Sequence, residues 1–327
     1  MMDDLKNKLV SMLKDDLAEI EKALSKNLDP YFDIVSKVAG HILFSGGKRL
    51  RPLLLILCAR LCNHSGENLP YFSTVPEYVH AATLLHDDLI DEAKLRHNKP
   101  VANSVWGNSI AVLTGDFLLA RSLAISAQIG NLKIVEVIAE VTQKMSEGEI
   151  FQLYKKGNID LTEEEYFEII KRKTAILFEG SCKVGAMMAK ASMNHETNLS
   201  TYGFNLGLAF QMADDLLDYT SDTKTLGKNI GTDLKEGKLT LPVIIALKNA
   251  TPSDSSVMKK IIKDNNFSDY DFNILVELLN RYEGISYTSN KAYEYILKAK
   301  EAISMFPMSK TKEILLMLAD YVLARKM

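Results

Sequence analysis

The sequence predicts an all-α protein, and three observations carry that prediction. Apolar residues recur at three-to-four spacing through most of the 327 positions, the spacing that lines one face of a helix. No segment alternates apolar and polar residues with the period of a strand. No stretch is rich enough in Pro, Gly or Ser to act as a linker, so residues 1–327 are expected to form a single domain. In chain order, Leu5, Leu9, Met12, Leu13, Leu17 and Ile20 make the stripe of an amphipathic opening helix over 2–25. A second helix over 31–44 stops at Gly46-Gly47, and Pro52 suits the first turn of a third over 51–62. Pro70 and Pro76 bracket the start of the next helix, which runs on into a cluster of aspartates. Long helices follow over 104–129, 131–156, 162–191 and 198–221. Shorter ones close the chain near 240–249, 254–264, 270–281, 286–304 and 309–325.

Composition narrows the function. Hydrophobic residues at 47% and charged residues at 25% are ordinary for a soluble globular protein. A formal net charge of −3 leaves no global basic field to draw nucleic acid. The run LLLILCA (53–59) is far too short to span a bilayer, and no membrane span is expected. The acidic, helical first residues lack the apolar core of a signal peptide, so the expected location is the cytoplasm. Cys58, Cys62 and Cys182 have no C-x-x-C or His-x-x-x-His company and are expected to be small buried apolar groups, not zinc ligands.

Chemistry concentrates in two repeats of one spacing. In HAATLLHDDLIDEAKLRHNKP (80–100), Asp87 and Asp91 lie one turn apart on one helix face, with His80 on the same stripe and Asp88 beside them. The segment FQMADDLLD (210–218) repeats D-D-x-x-D as Asp214, Asp215 and Asp218, again at the end of an apolar helical run. Stacked like charges repel unless a cation joins them, and hard carboxylate oxygens in this number suit Mg²⁺ bridging to substrate phosphate. Two such faces opposite each other would hold several Mg²⁺ around one diphosphate.

Three polar segments complete the picture. FSGGKRLRP (44–52) sets Lys48, Arg49 and Arg51 before a helix N-terminus, where N–H groups and the macrodipole favour anions. It lacks the G-x-x-x-x-G-K-[ST] of a P-loop. KRKTA (171–175) offers Lys173 and Thr174 from inside a predicted helix. The stretch 220–242 interleaves Gly227, Gly231 and Gly237 with Lys224, Lys228, Lys235 and Lys238, the composition of a closing lid. Mg²⁺, several cations and an apolar interior together imply a diphosphate with a hydrocarbon tail, whose departure leaves an allylic carbocation. No Ser-His-Asp or Cys-His set is present to supply a covalent nucleophile.

The segments GGKRLRP (46–52), 80–100, GDFLLA (115–120), Lys173-Thr174, 210–218 and GKNIGTDLKEGKLTLP (227–242) occur in an order that resembles the trans-isoprenyl diphosphate synthases, or polyprenyl synthetases. The resemblance implies an antiparallel helix bundle around a deep central cavity, a homodimer, and head-to-tail condensation of isopentenyl diphosphate onto an allylic diphosphate. By motif it assigns Asp87, Asp88, Asp91, Arg96, Lys173, Asp214 and Lys228 to catalysis. Isopentenyl diphosphate would contact Gly47, Lys48, Arg51, His80 and His97; the allylic diphosphate would contact Arg96, Lys173, Thr174, Gln211, Lys228 and Lys238. Three Mg²⁺ per site would be held by Asp87, Asp91, Asp214 and Asp218. His97 stands where the family has a second arginine, which makes affinity for isopentenyl diphosphate pH-dependent. Ala82 and Thr83, about a helical turn (~5–6 Å) below Asp87, are small where short-chain members are bulky, so a long product near octaprenyl, for quinone side chains, is expected. Phe151 is a candidate for a lower floor residue, which would leave a short-chain product instead. The competing readings are a terpene cyclase, a His-Asp phosphohydrolase built on His86-Asp87, and a non-catalytic partner subunit of a heteromeric synthase.

Overall fold

The computed structural model describes residues 2–96, 99–220, 231–264 and 266–324. Helices begin where the sequence supplies a start. Thr162 opens one with a capping box: its hydroxyl accepts the Glu165 N–H at 3.2 Å while the Glu165 carboxylate accepts the Thr162 N–H at 3.0 Å. Ser268 and Asp271 do the same for another, and Asn131 and Thr251 cap two more. The elements are α1 (Met2–Asn27), α2 (Asp33–Leu43), α3 (Leu50–Leu61), α4 (Leu69–Ile90), a two-residue antiparallel pair β1 (Leu95–Arg96) and β2 (Lys99–Pro100), α5 (Ala102–Trp106), α6 (Asn108–Gln128) and α7 (Leu132–Lys155). After them come α8 (Glu163–Ile170), a π-helical turn (Lys171–Ala175), α9 (Ile176–Met188), α10 (Met193–Thr220) and α11 (Thr232–Lys235). The chain closes with α12 (Leu241–Asn249), α13 (Pro252–Lys263), α14 (Asp269–Arg281), α15 (Gly284–Ala302) and α16 (Lys310–Ala324).

The all-α expectation is met, with differences that have local causes. The predicted helix 104–129 is broken at Gly107, whose φ of +84° no other residue adopts cheaply. The predicted helix 162–191 contains the π turn. Pro76 lies inside α4 and does not mark its start. The β pair after the first aspartates and the short helix α11 had no signal.

Neighbouring helices run antiparallel. The Tyr78 hydroxyl donates to the Leu24 carbonyl at 2.7 Å and the Asn27 amide to the Tyr71 carbonyl at 3.3 Å, so α1 descends as α4 rises. The Tyr71 hydroxyl meets Gln128 while His86 meets Val112, which sets α6 antiparallel to α4. The C-terminal ends of α4, α7 and α10 therefore share one end of the bundle, and the catalytic candidates with them. Two apolar clusters form the core. One is built mainly by α1 to α7 and α9 with part of α16, the other by α8 and α11 to α15. Helix α10 serves both, giving Leu199, Tyr202 and Leu206 to the first and Leu208, Met212 and Tyr219 to the second. Among the described residues one helix, α6, is long and apolar enough to cross a membrane by length and composition. It packs lengthwise on α4 through Ala111, Leu118 and Ile125, and leaves Ile110, Leu113 and Leu123 uncovered on its far side.

Candidate active site

In both aspartate motifs the middle carboxylate turns away from the outer two. Asp88 is 3% exposed and takes a forked salt bridge from Arg96, with contacts of 2.8, 3.0 and 3.1 Å. Asp215 is 4% exposed, accepts the Tyr166 hydroxyl at 2.6 Å, and accepts the Gln211 amide at 2.7 Å. Positions one apart on a helix differ by about 100°, so Asp88 faces a neighbouring element while Asp87 and Asp91 face Lys173 and Lys238. In the second motif Asp215 points to Tyr166 and Gln211, and Asp218 turns to the backbone of 232–233. Asp88 thus anchors Arg96 on β1, and Asp215 anchors a chain that runs on from Gln211 to the Thr174 hydroxyl at 2.7 Å.

Lysines meet the outer carboxylates. The Lys238 ammonium donates to Asp91 Oδ2 at 2.7 Å and to Glu236 at 2.8 Å. Burial pulls that ammonium down, but Glu236 and Asp91 outweigh it and hold its pKa above the ordinary lysine range. Lys173 reaches Glu149 at 2.6 Å, Gln152 at 2.7 Å and Asp87 at 3.8 Å. Burial raises the Asp87 carboxyl to about 6; Lys173 opposes the rise, while Glu149 and Asp91 add to it. Burial likewise raises Asp215 to about 7 against the pull of its two hydrogen bonds. Asp233, behind them, is held well above the carboxylate range by burial and by Asp218 and Asp215.

The π turn is what aims Lys173 and Thr174. A wide turn rotates side chains relative to an α-helix, and such turns often sit at functional sites. Two glycines clamp this one. A Cβ on Gly148 of α7 would lie 2.5 Å from Arg172 Cβ, and one on Gly207 of α10 would lie 2.6 Å from Ala175 Cα. Either helix can touch the π turn only because those positions have no side chain. Between these elements and Gly237–Thr240 lies a cavity of about 120 Å³, lined in part by Gln152, Lys173, Thr174, Gln211, Asp215 and Lys238. Asp214 is exposed. Asp218 accepts the backbone N–H groups of Thr232 and Asp233, each at 3.1 Å, and so pins α11 under the second motif.

The 44–52 segment divides its cations. Arg49, at φ 50°, turns inward, is 6% exposed and pairs with Glu21 at 2.6 Å and Glu77 at 2.8 Å. This corrects the expectation that Arg49 adds to a phosphate cluster: the left-handed backbone there reverses its direction. Gly47, at φ +138°, passes close to that guanidinium, where a Cβ would lie 2.9 Å from Nη1. Arg51 lies with its guanidinium 4.8 Å from the centre of the Phe178 ring, and its buried Nε has no hydrogen-bond partner. Burial brings its pKa down to about 10, with Glu77 resisting. His80 is held neutral by burial and by the positive fields of Arg51, Arg96 and Arg49, so these groups share one neighbourhood. Lys48 is exposed, its ammonium 5.9 Å from the centre of the Tyr321 ring.

Other expectations fall differently. His97 and Lys228 lie outside the described residues. His86 packs against Gly115 and lies 3.2 Å from the Val112 carbonyl and 3.6 Å from Asp116, on the face toward α6, which removes the His-Asp phosphohydrolase reading. Ala82 is fully buried in α4, and Thr83 donates to the His80 carbonyl at 2.9 Å. Phe151 is partly buried on α7. It neighbours Gln152, which is level with Lys173 and Asp87, and its ring packs on the second cluster 5.5 Å from the Lys155 ammonium.

The site also uses residues that no motif flagged. Glu149 and Gln152 sit three apart on one face of α7, a pairing visible in the sequence once that face is known to be inward. Asp233 lies inside the 227–242 segment, where the resemblance assigns only Lys228 and Lys238. Nothing in the spacing ties Tyr166 to Asp215. Among the described residues no three candidate ligands converge tightly enough to ligate a metal as they stand, because Lys173 and Lys238 act as the counter-ions. The donor set nevertheless fits Mg²⁺: all of it is carboxylate oxygen, and Asp91 Oδ1 and Glu149 Oε1 are buried oxygens with no hydrogen-bond partner.

Comparison with known proteins agrees with this geometry. The chain is 35% identical over 318 residues to octaprenyl diphosphate synthase of Escherichia coli, covering 97% of this chain and 98% of that one. It is 32% identical over 326 residues to heptaprenyl diphosphate synthase component 2 of Bacillus subtilis, covering 99% and 92%. A crystal structure of polyprenyl synthase from Caulobacter crescentus, complexed with calcium and isoprenyl diphosphate, superposes with a TM-score of 0.91 at 36% identity, covering 98% of each chain. Residues 32–279 match the polyprenyl synthetase family, and with this match and the near-full-length likeness to its members, the chain belongs to that family.

Proposed function

We propose that this prenyltransferase condenses isopentenyl diphosphate head-to-tail onto an allylic diphosphate, repeatedly, to give an all-trans product near octaprenyl diphosphate. The observation that carries the reading is the pairing of Asp87 with Lys173 and Asp91 with Lys238 in one basin above an apolar bundle. Asp87, Asp91, Asp214 and Asp218 would hold Mg²⁺, three ions per site, which when bound offsets the diphosphate charge and stabilises it as it leaves. Lys173 and Lys238, released from their carboxylates, turn to the allylic diphosphate with Thr174 and Gln211. Their charge favours cleavage of the allylic C–O bond because it acts where negative charge accumulates. Arg51 and His80 orient isopentenyl diphosphate so that its double bond faces the cation, and neutral His80 donates without adding a competing charge. A proton then leaves the adduct, the released diphosphate accepting it, and the chain extends below Ala82 for the next cycle. Small, buried Ala82 and the long-chain names of the relatives support the product length; quinone side chains are the use proposed for it.

The uncovered stripe Ile110, Leu113 and Leu123 on α6 supports a homodimer, and the location proposed is the cytoplasm. The Bacillus subtilis relative is one component of a synthase, which favours one second reading, a subunit active only with a partner. Purified protein, Mg²⁺, farnesyl diphosphate and labelled isopentenyl diphosphate test both readings. A ladder of prenols ending near C40 is expected. A single C15 or C20 alcohol refutes the product length, and no condensation without an added partner favours the subunit reading.

A further inference from the structure

We infer that Lys156 is a further cation for the allylic diphosphate, held in register with Lys238 by a backbone latch between two glycines. The inference rests on the function proposed above and adds a residue to it. Lys156 is the residue after α7, and its ammonium lies 4.0 Å from Asp91 Oδ1. That oxygen is buried without a hydrogen-bond partner, while the other oxygen of the same carboxylate holds Lys238 at 2.7 Å. Two lysines from distant segments therefore flank one aspartate. Its neighbour Lys155 is committed elsewhere, bonded to Glu165 at 2.5 Å and lying over the rings of Phe151 and Tyr154. Among the described residues Lys156 has no such tie, and both it and Lys238 line the cavity that also holds Lys173 and Asp215.

The register comes from the backbone. The Gly157 N–H donates to the Gly237 carbonyl at 2.8 Å, so the turn after α7 and the turn before Lys238 lie side by side. Both glycines have positive φ, +77° and +73°. A Cβ on Gly237 would meet Gly157 N and Lys156 Cγ at an ordinary 3.4 Å, so it is the positive φ, not a lack of space, that calls for glycine there. Because the latch joins the residues next to each lysine, it fixes the register of the two backbone segments, while each ammonium swings on its own stem. When the aspartate face binds a cation instead, both become available to the diphosphate oxygens as a pair, from two adjacent turns. A point charge on a flexible stem suits that exchange better than a fixed fork.

The test uses the full-length protein and the series Lys156→Arg, Lys156→Gln and Lys156→Glu. Calorimetry reads binding of farnesyl thiodiphosphate, whose C–S bond does not ionise, with Mg²⁺ present; steady-state kinetics read KM for each substrate separately. Lys156→Gln is expected to weaken the analogue and raise KM for farnesyl diphosphate about tenfold, the scale of one charge-assisted contact. KM for isopentenyl diphosphate stays within twofold, Lys156→Arg restores most of the affinity, and Lys156→Glu is worse than Lys156→Gln. Analogue affinity within twofold of native in both Lys156→Gln and Lys156→Glu, with unchanged melting, overturns the inference. Failure of the function itself is seen separately, as native protein that performs no condensation.

Discussion

Replacing Gly148 with alanine should damage activity far more than stability. The added Cβ would lie 2.5 Å from Arg172 Cβ, 3.0 Å from Lys173 N and 3.1 Å from Arg172 C. Two of the three are backbone atoms, so no side chain can rotate out of the way. Restoring ordinary carbon contacts requires the π turn and α7 to separate by roughly 1 Å. Overpacking of this kind costs about 1–3 kcal/mol, and the better helix propensity of alanine returns about 1 kcal/mol. The net loss should lower the melting midpoint by only a few degrees, at about 2–4 °C per kcal/mol for a large domain. The same displacement moves Lys173 from Glu149 at 2.6 Å and from Asp87 at 3.8 Å. Misplacing a group at a reacting centre by that distance costs on the order of 100-fold in kcat/KM. Gly40→Ala is the control, since its Cβ would meet only the Phe44 ring at an ordinary 3.6 Å. Condensation kinetics beside thermal melting decide the matter. If Gly148→Ala keeps kcat/KM within threefold of native, the role of that contact in aiming Lys173 is refuted.

Other perturbations follow from the same geometry. Tyr166→Phe removes a hydrogen bond that lowers the Asp215 pKa, so that pKa should rise above about 7 and the acid limb of the rate profile should move to higher pH; a profile that does not move rules the link out. Burial raises the Asp215 carboxyl from 3.8 to about 7, so the folded state binds its proton more tightly than the unfolded state does. That group favours folding at low pH and loses the contribution as pH rises from about 4 to about 7. Without metal, Asp215→Asn should therefore gain on native protein with rising pH, by an amount on the order of a few kcal/mol in denaturant melts, and a constant difference would contradict it. Arg49→Met should cost about 3–5 kcal/mol by leaving Glu77 buried without its partner. Loss of isopentenyl diphosphate affinity with unchanged stability would instead return Arg49 to the substrate site. Ala82→Phe should shorten the product ladder seen by chromatography, and an unchanged C40 end point would show that the growing chain does not pass this residue.

How far the sequence could be read depends on whether an interaction is local or distant. The outer aspartates were legible because a spacing of four on an uninterrupted helix dictates a shared face, whatever packs against it. The same helical arithmetic implies that Asp88 and Asp215 point elsewhere, but not where, because Arg96 follows a turn and Tyr166 arrives from another helix. Arg49 and Arg51 look alike in the sequence. One left-handed residue separates their fates, sending Arg49 to Glu21 and Glu77 and leaving Arg51 with an unpaired donor. The π turn was illegible for a stronger reason. KRKTA has no breaker, cap or bulge signal of its own; the turn is clamped by the missing side chains of Gly148 and Gly207, on helices before and after it. The extra residue of a π turn is costly to an isolated helix and persists only where surrounding packing over-determines it. The chain holds that turn where Lys173 faces Asp87, so a feature that local reading misses is one that brings the first aspartate motif and the Thr174–Gln211–Asp215 chain together.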